Sequence, residues 1–231
     1  EVGTITPLKQ YGNPKPRVFR LVEDEALINR LGFNNHGAEV VRDRIKSNNK
    51  SGVLGINVGP NKDSNDRLND YLIGLKTFHE IADYITINIS SPNTENLRNF
   101  HDESKLQELL KSISAEKNIL KSSIPITVKI SPDLNDSQID LISGILLENE
   151  IKAIIVSNTS EASREKLSNI QRHQKGGLSG KPIEEKSNIL ISKFYRLLKG
   201  KIKIIGVGGV DSGQAAYDKF LAGADLVQLY T

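Results

Sequence analysis

Seven residues, Asn88, Ile89, Ser90, Ser91, Pro92, Asn93 and Thr94, follow a strand-like apolar run and set the hydroxyl of Ser91 between two carboxamides. Asn88 and Asn93 each offer a carbonyl acceptor and two amide donors, enough to grip a small planar molecule that carries imide-like edges and a carboxylate. Ser91 would then face the held atom as a nucleophile or base. The same residues also spell an Asn/Ser/Pro turn after a strand, so the segment alone leaves both readings open.

A second candidate for chemistry is Ile204-Ile205-Gly206-Val207-Gly208-Gly209-Val210-Asp211-Ser212, a strand, a glycine turn and a helix start. Backbone N–H groups in such a turn can approach a phosphate closely. Gly176-Gly177-Leu178-Ser179-Gly180 upstream and Leu229-Tyr230-Thr231 downstream extend that pattern toward a phosphorylated ligand. Lys129 ends the apolar run Ile126-Thr127-Val128, where burial without an anionic partner is costly. Either it snorkels to solvent, or it faces a group that becomes anionic, as the isoalloxazine of a flavin does on reduction. In the second case Asn57 and Thr4 could hydrogen-bond other edges of the same ring.

These residues need elements to hold them. Short β-branched runs, Val2 to Thr4, Val53 to Asn57, Tyr84 to Asn88, Ile126 to Ile130, Ala153 to Ser157, Ile202 to Gly206 and Leu226 to Tyr230, read as strands buried on both faces. Between them Ser64 to Ile81, Ser104 to Asn118, Asp136 to Asn149, Pro182 to Leu198 and Ser212 to Ala222 read as helices, with start signals at Asp136 and Ser212. This βα alternation has no composition break. It predicts a single-domain (β/α)8 TIM barrel over residues 1–231, lacking its first strand and last helix because both ends look cut, with a doubly wound open sheet as the structural alternative. The barrel is favoured by where the polar residues fall. Thr4, Asn57, Asn88, Lys129, Ser157-Asn158-Thr159, Gly208-Gly209 and Tyr230-Thr231 all sit at the C-terminal ends of strands, where that fold collects its chemistry.

Composition narrows the function classes. With 31 basic against 28 acidic residues the net charge is only +3, and aromatic residues are 5% of the chain, which speaks against a nucleic-acid partner. Lys199, Lys201 and Lys203 fit the solvated rim where a strand begins. Cysteine is absent, which removes disulfides, thiolate metal sites and cysteine nucleophiles. His36, His79, His101 and His173 have no metal-ligand spacing and are expected on the surface or in loops, so no metal site is expected. No run reaches the ~18 apolar residues of a membrane-spanning helix.

Nine ordered blocks carry a resemblance. They are Gly3-Thr4-Ile5-Thr6-Pro7, Asn29-Arg30-Leu31-Gly32-Phe33-Asn34-Asn35, Gly55-Ile56-Asn57, Asn88 to Thr94, Val128-Lys129-Ile130, Ser157-Asn158-Thr159, Gly176 to Gly180, Gly206-Val207-Gly208-Gly209 and Leu229-Tyr230-Thr231. Through them the chain resembles the dihydroorotate dehydrogenases of class 2, the quinone-dependent branch. The resemblance implies oxidation of dihydroorotate to orotate in pyrimidine (UMP) biosynthesis, with FMN cradled at the barrel mouth. Thr4, Asn57, Asn88 and Lys129 would contact the flavin, and Ser157, Gly180, Gly208, Gly209, Tyr230 and Thr231 would line its ribityl-phosphate path. Dihydroorotate would be held by Asn29, Arg30, Leu31, Gly32 and Phe33, by Asn88 and Asn93, and by Asn158 and Thr159.

In the same resemblance Ser91 matches a catalytic base that takes the C5 proton while a hydride leaves C6 for the flavin. Thr94 matches a residue that relays the serine's proton, and Phe33 one that shields the site. Class 1 relatives carry cysteine in place of Ser91 and reoxidise their flavin with fumarate or an iron–sulfur partner, so a cysteine-free chain implies a membrane quinone instead. Peripheral attachment to an inner membrane, bacterial or mitochondrial, is implied through an N-terminal helical segment absent from this sequence. The family's first strand, with a flavin loop and a substrate lysine, would precede Glu1. Other FMN barrels, such as tRNA dihydrouridine synthases with their catalytic cysteine and basic extension, and non-redox phosphate-binding barrels remain as alternatives.

Overall fold

A computed structural model of the chain describes residues 1–48, 51–92, 97, 101–149, 151–162 and 164–230. Seven strands make one parallel sheet. They are β1 (Val2–Ile5), β4 (Gly55–Val58), β5 (Tyr84–Asn88), β6 (Ile126–Lys129), β7 (Ala153–Val156), β9 (Lys203–Val207) and β10 (Leu226–Gln228), hydrogen-bonded in that order. Every neighbouring pair is parallel and each follows the last in sequence. A doubly wound sheet reverses its order at a switch point; this one does not, and the open-sheet alternative falls.

Burial explains the parallel pairing. All four residues of β4 and of β7 are buried, so both strands are covered on both faces; β7 (Ala-Ile-Ile-Val) is apolar on each side, whereas β4 turns Ile56 and Val58 to one face and Gly55 and Asn57 to the other. One face packs on the crossover helices α1 (Ala38–Ser47), α2 (Arg67–Phe78), α3 (Glu103–Ile119), α4 (Asp136–Glu148), α5 (Glu184–Leu198) and α6 (Gly213–Ala222). Tyr71, Leu75, Phe78, Leu109, Ile142, Ile191 and Phe194 fill the layer between helices and sheet. Helix starts are set by side-chain caps: Asp66 accepts from Asn69 N–H, and Ser212 from Ala215 N–H. The start expected at Asp136 is capped one residue earlier by Asn135, which forms a reciprocal capping box with Gln138.

Sequence periodicity did not foresee a second sheet. In it β2 (Val18–Leu21), β3 (Ala26–Asn29) and β8 (Gly177–Gly180) pair antiparallel over a small core of Phe19, Leu21, Ile28, Leu167, Leu178 and Ile183. β2 and β3 follow β1, and β8 follows β7, so both insertions leave from C-terminal strand ends and cover the same mouth of the large sheet. Helix α1 was also unforeseen, because its apolar content is thin and Ala38 is its only buried residue.

Among the described residues no helix is long and apolar enough to cross a membrane, and no group of three or more His, Asp or Glu is placed to hold a metal ion. His101, expected on the surface or in a loop, lies in a 3-10 turn just before α3 and is buried.

Candidate functional site at the mouth of the parallel sheet

The strand ends carry a continuous chain of side-chain hydrogen bonds. Thr4 Oγ1 donates to Asn57 Oδ1 at 2.7 Å, and Asn88 Nδ2 donates to Thr4 Oγ1 at 2.8 Å. Asn88 Oδ1 accepts from Ser90 N–H at 3.2 Å and Ser90 Oγ at 2.9 Å. Asn158 Nδ2 donates to Ser90 Oγ at 2.9 Å, and Asn158 Oδ1 takes the N–H of Thr159 at 2.8 Å. Six residues from four strand ends are thereby fixed against one another. The backbone carbonyl of Asn88 is held by the hydroxyl of Tyr71 on α2 at 2.6 Å, a phenol whose burial pushes its pKa well above the usual value.

Ser91 is buried at the start of the loop that leaves β5. Pro92 beside it touches β8, where a Cβ on Gly177 would lie 3.2 Å from Pro92 Cγ and 1.9 Å from Thr159 Oγ1. Only glycine allows that approach. Gly177 is also the register partner of Asn29, the last residue of β3, so Asn29, Pro92 and Thr159 gather round one point of the small sheet, with Ser91 next to Pro92 in the chain. Asn93 and Thr94 lie outside the described residues.

The turn after Asn29 is held by its own neighbours. Asn29 Oδ1 accepts from Leu31 N–H at 3.4 Å; the carbonyls of Leu31 and Gly32 accept from Asn13 N–H at 3.0 Å and Gln10 Nε2 at 2.9 Å. The Arg30 guanidinium donates to Gln174 Oε1 and to the carbonyls of Lys175 and Pro16, and lies 4.5 Å from the Phe19 ring centroid. Phe33 is half-buried against the barrel core, its carbonyl accepting from Asn35 Nδ2 at 2.8 Å. Its ring and the Thr4 methyl flank Gly59, which puts Phe33 at the edge of the carboxamide chain.

Lys129 is half-buried, is the register partner of Asn88, and donates from Nζ to Gln228 Oε1 at 3.3 Å. Gln228 is on β10, three strands from β6, and a flat sheet would separate them by about 14 Å. The contact therefore requires a curved sheet with Lys129 on its concave side. Burial lowers the lysine's pKa, against the pull of the Glu1 carboxylate. Glu1, itself exposed, reaches this side with its carboxylate: Asn57 Nδ2 donates to it at 3.0 Å and Thr86 Oγ1 at 2.7 Å, while Thr86 and Thr127 share a 2.6 Å hydrogen bond. Tyr84 is pushed up to about 12 by burial and by Glu1. Neither Glu1 nor Gln228 was foreseen, since nothing local marks a residue whose partner is 56 or 99 positions away.

On the other side, Ser157 is buried and its N–H donates to Val207 O at 3.2 Å. Gly208 and Gly209 follow at φ 117° and 71°, values that favour glycine, and the chain then enters α6. Gly180 ends β8 at φ 98°. Tyr230 is 92% exposed, apart from the hydrogen-bonded cluster, and Thr231 lies outside the described residues.

One supporting cluster was not anticipated. Asp133 Oδ1 accepts from Ser160 Oγ at 2.6 Å and pairs with Lys186, and its Oδ2 takes Glu161 N–H at 2.8 Å. It clamps the segment that carries Asn158 and Thr159. Burial raises the Asp133 pKa, but the hydrogen bonds from Lys186, Ser160 and Glu161 outweigh it and hold the carboxyl below its ordinary value.

Comparison with known proteins agrees with this geometry. The family model "Dihydroorotate dehydrogenase" matches residues 1–231. The chain is 49% identical over 236 residues to the dihydroorotate dehydrogenase (quinone) of Bartonella tribocorum, covering all of this chain and 65% of that protein. It is 49% identical over 232 residues to that of Mesorhizobium japonicum, again 65% of the relative. The chain thus spans just under two thirds of the length of these relatives. A crystal structure of DHODH from Eimeria tenella in complex with ferulenol superposes with a TM-score of 0.95 at 37% identity, over 100% of this chain and 68% of that one. A curved parallel sheet with sequential strand order, a carboxamide-lined mouth and a full-length family match lead to one assignment: the chain belongs to the dihydroorotate dehydrogenase family, on the branch of its quinone-named relatives.

Proposed function

We propose that the protein containing this chain oxidises dihydroorotate to orotate in pyrimidine (UMP) biosynthesis, using FMN and passing electrons on to a membrane quinone. The observation that carries the reading is the hydrogen-bonded chain from Thr4 through Asn57, Asn88 and Ser90 to Asn158 and Thr159, which holds the carboxamides of Asn88 and Asn158 on Ser90, the residue next to buried Ser91. Such groups match a ligand with amide, imide and carboxylate edges.

The donor set also fits FMN. Thr4, Asn57 and Asn88 offer hydrogen bonds at adjacent strand ends, Lys129 brings a cation to the concave side, and the Gly208–Gly209 turn before α6 suits a phosphate. When bound, FMN supplies a two-electron acceptor for the C6 hydride. The chain's own residues bind and orient. Asn29, Asn88, Asn93 and Asn158 hold the substrate ring, Thr159 and the turn Arg30-Leu31-Gly32-Phe33 close over it, and Phe33 keeps water away. Ser91 Oγ takes the C5 proton, and since a serine is a weak base unaided, Thr94 is assigned the relay of that proton. Lys129 stabilises negative charge on the reduced ring.

Serine at position 91 in a chain without cysteine, together with the names of its relatives, supports the quinone-linked second half-reaction. That reaction calls for peripheral contact with an inner membrane through a segment outside this sequence. The test is anaerobic mixing of the full-length protein with dihydroorotate while flavin absorbance is followed. The bound flavin bleaches if the reading holds; a flavin that stays oxidised overturns it.

A further inference from the structure

Lys219 lies in the last turns of α6, yet it is fully buried in the seam between α6, α5 and β9. Its stem passes Gly206, where a Cβ would come 3.1 Å from Lys219 Cδ. The ammonium donates to Ser187 Oγ at 3.2 Å and Asn188 Oδ1 at 3.0 Å, both on α5. Among the described residues no carboxylate stands within ion-pair distance of it; Glu184 and Asp218 act on it only at longer range. A cation buried on neutral partners destabilises a fold. Its place in the hydrogen-bond network gives it another use.

Ser187 accepts from Lys219 and donates its own proton to the carbonyl of Val207 at 2.8 Å. That carbonyl also takes the N–H of Ser157 at 3.2 Å. Val207 is the last residue before Gly208 and Gly209, two positions with little conformational preference of their own. The anchoring of Val207 therefore decides where the N–H groups of the turn point.

We infer that Lys219 is a positioning residue for the phosphate turn, acting through Ser187 to lock Val207 and placing an unneutralised positive charge behind Gly208 and Gly209. The inference rests on the flavin reading above. It gives a burial that is otherwise only costly a function in cofactor affinity.

The test uses full-length protein stripped of flavin and titrated with FMN and with riboflavin, the same ring without phosphate, by fluorescence quenching. Lys219→Met and Ser187→Ala should each weaken FMN by about tenfold or more and leave riboflavin affinity unchanged. The double variant should lose no more than Lys219→Met alone, because the two side chains act in series. Unchanged FMN affinity, or a parallel loss for FMN and riboflavin, overturns the inference and reduces Lys219 to a packing residue. If Lys219→Met does not fold, Ser187→Ala, a loss of one hydroxyl on a helix, decides the matter by itself. A wild-type protein that binds FMN no better than riboflavin overturns the inference while leaving the flavin reading intact. One that binds neither overturns both.

Discussion

Asn158 donates its amide to Ser90 Oγ at 2.9 Å, joining residues 68 apart in the chain and tying the mouth end of β5 to the segment after β7. Ser90 is fully buried and gives its own proton to Asn88 Oδ1 at 2.9 Å, so it is the hinge between two carboxamides assigned to one substrate. Ser90→Ala leaves an amide N–H and a carboxamide oxygen each short of a partner. Unfolding free energy should drop by about 1–3 kcal/mol, read as a lower urea midpoint. Orotate should bind about tenfold more weakly, since the carboxamides lose their mutual orientation. A lowered midpoint with undiminished orotate affinity would make the chain of hydrogen bonds structural only.

Ser91 is the group assigned to the C5 proton, and it has no assigned contact with flavin. Ser91→Ala should therefore slow bleaching of the flavin by dihydroorotate by ~10² or more, the scale of losing a positioned general base, while bound FMN stays at one equivalent. Stopped-flow absorbance gives the rate and flavin extraction the stoichiometry. An unchanged rate assigns proton removal to another residue.

Lys129 should act on redox energetics more than on affinity. Its ammonium is held on the concave side by Gln228 at 3.3 Å, where burial already lowers its pKa. A cation there favours the anionic, reduced form of a neighbouring ring. Lys129→Gln should shift the bound flavin's two-electron potential more negative by tens of millivolts, where ~30 mV corresponds to about 1.4 kcal/mol. Spectroelectrochemical titration measures it, and a potential that does not move, or that rises, removes Lys129 from that role.

Asp133 should govern part of the acid stability. Its carboxyl sits below its ordinary value of 3.8 in the folded protein because Lys186, Ser160 and Glu161 N–H more than offset the effect of burial. A carboxyl depressed on folding contributes stability that is fully present above the unfolded value and is lost as pH falls through the folded one. Asp133→Asn should cost about 1–3 kcal/mol near neutral pH, and the gap to wild type should narrow only below about pH 4. Urea unfolding across pH 2.5 to 7 checks it; a gap that stays constant throughout would show that the depressed carboxyl is not its source.

What could be read from the sequence follows from the range of each interaction. The strands of the large sheet are legible because β-branched residues cluster in short runs, unbroken in β7, and Thr4, Asn57, Asn88 and Lys129 are legible because each is a polar residue at or near the C-terminal end of such a run. Val18–Leu21 alternates exposed and buried residues, a half-buried strand signal only four residues long that does not stand out beside continuous apolar runs. Gly177–Gly180 reads as a glycine stretch because its strand character comes from pairing with Ala26–Asn29, far away in the chain. Asp133, Gln228 and Lys219 look like ordinary polar residues until the fold brings Lys186, Lys129 and Ser187 to them. The capping of α4 by Asn135 rather than Asp136 is a one-residue ambiguity, since both side chains can accept from the first turn.

The last expectation concerns the cost of Lys219 to the flavin-free fold. Burial lowers its pKa from 10.5 to about 8, against the opposing charges of Glu184 and Asp218. Between those two values the unfolded chain binds more protons than the folded one, so stability contributed through this group rises with pH across that window. Below it the folded protein bears the full electrostatic penalty of the buried cation. Lys219→Met, an uncharged chain of similar length, should therefore gain on wild type at pH 7, and the difference should shrink steadily as pH climbs from about 8 to above 10. Denaturant unfolding of both proteins without flavin, repeated at pH 7, 8.5 and 10, reads that slope directly. A difference that does not change with pH would mean that Lys219 titrates no differently in the folded and unfolded states, and that its burial imposes no electrostatic cost for flavin binding to offset.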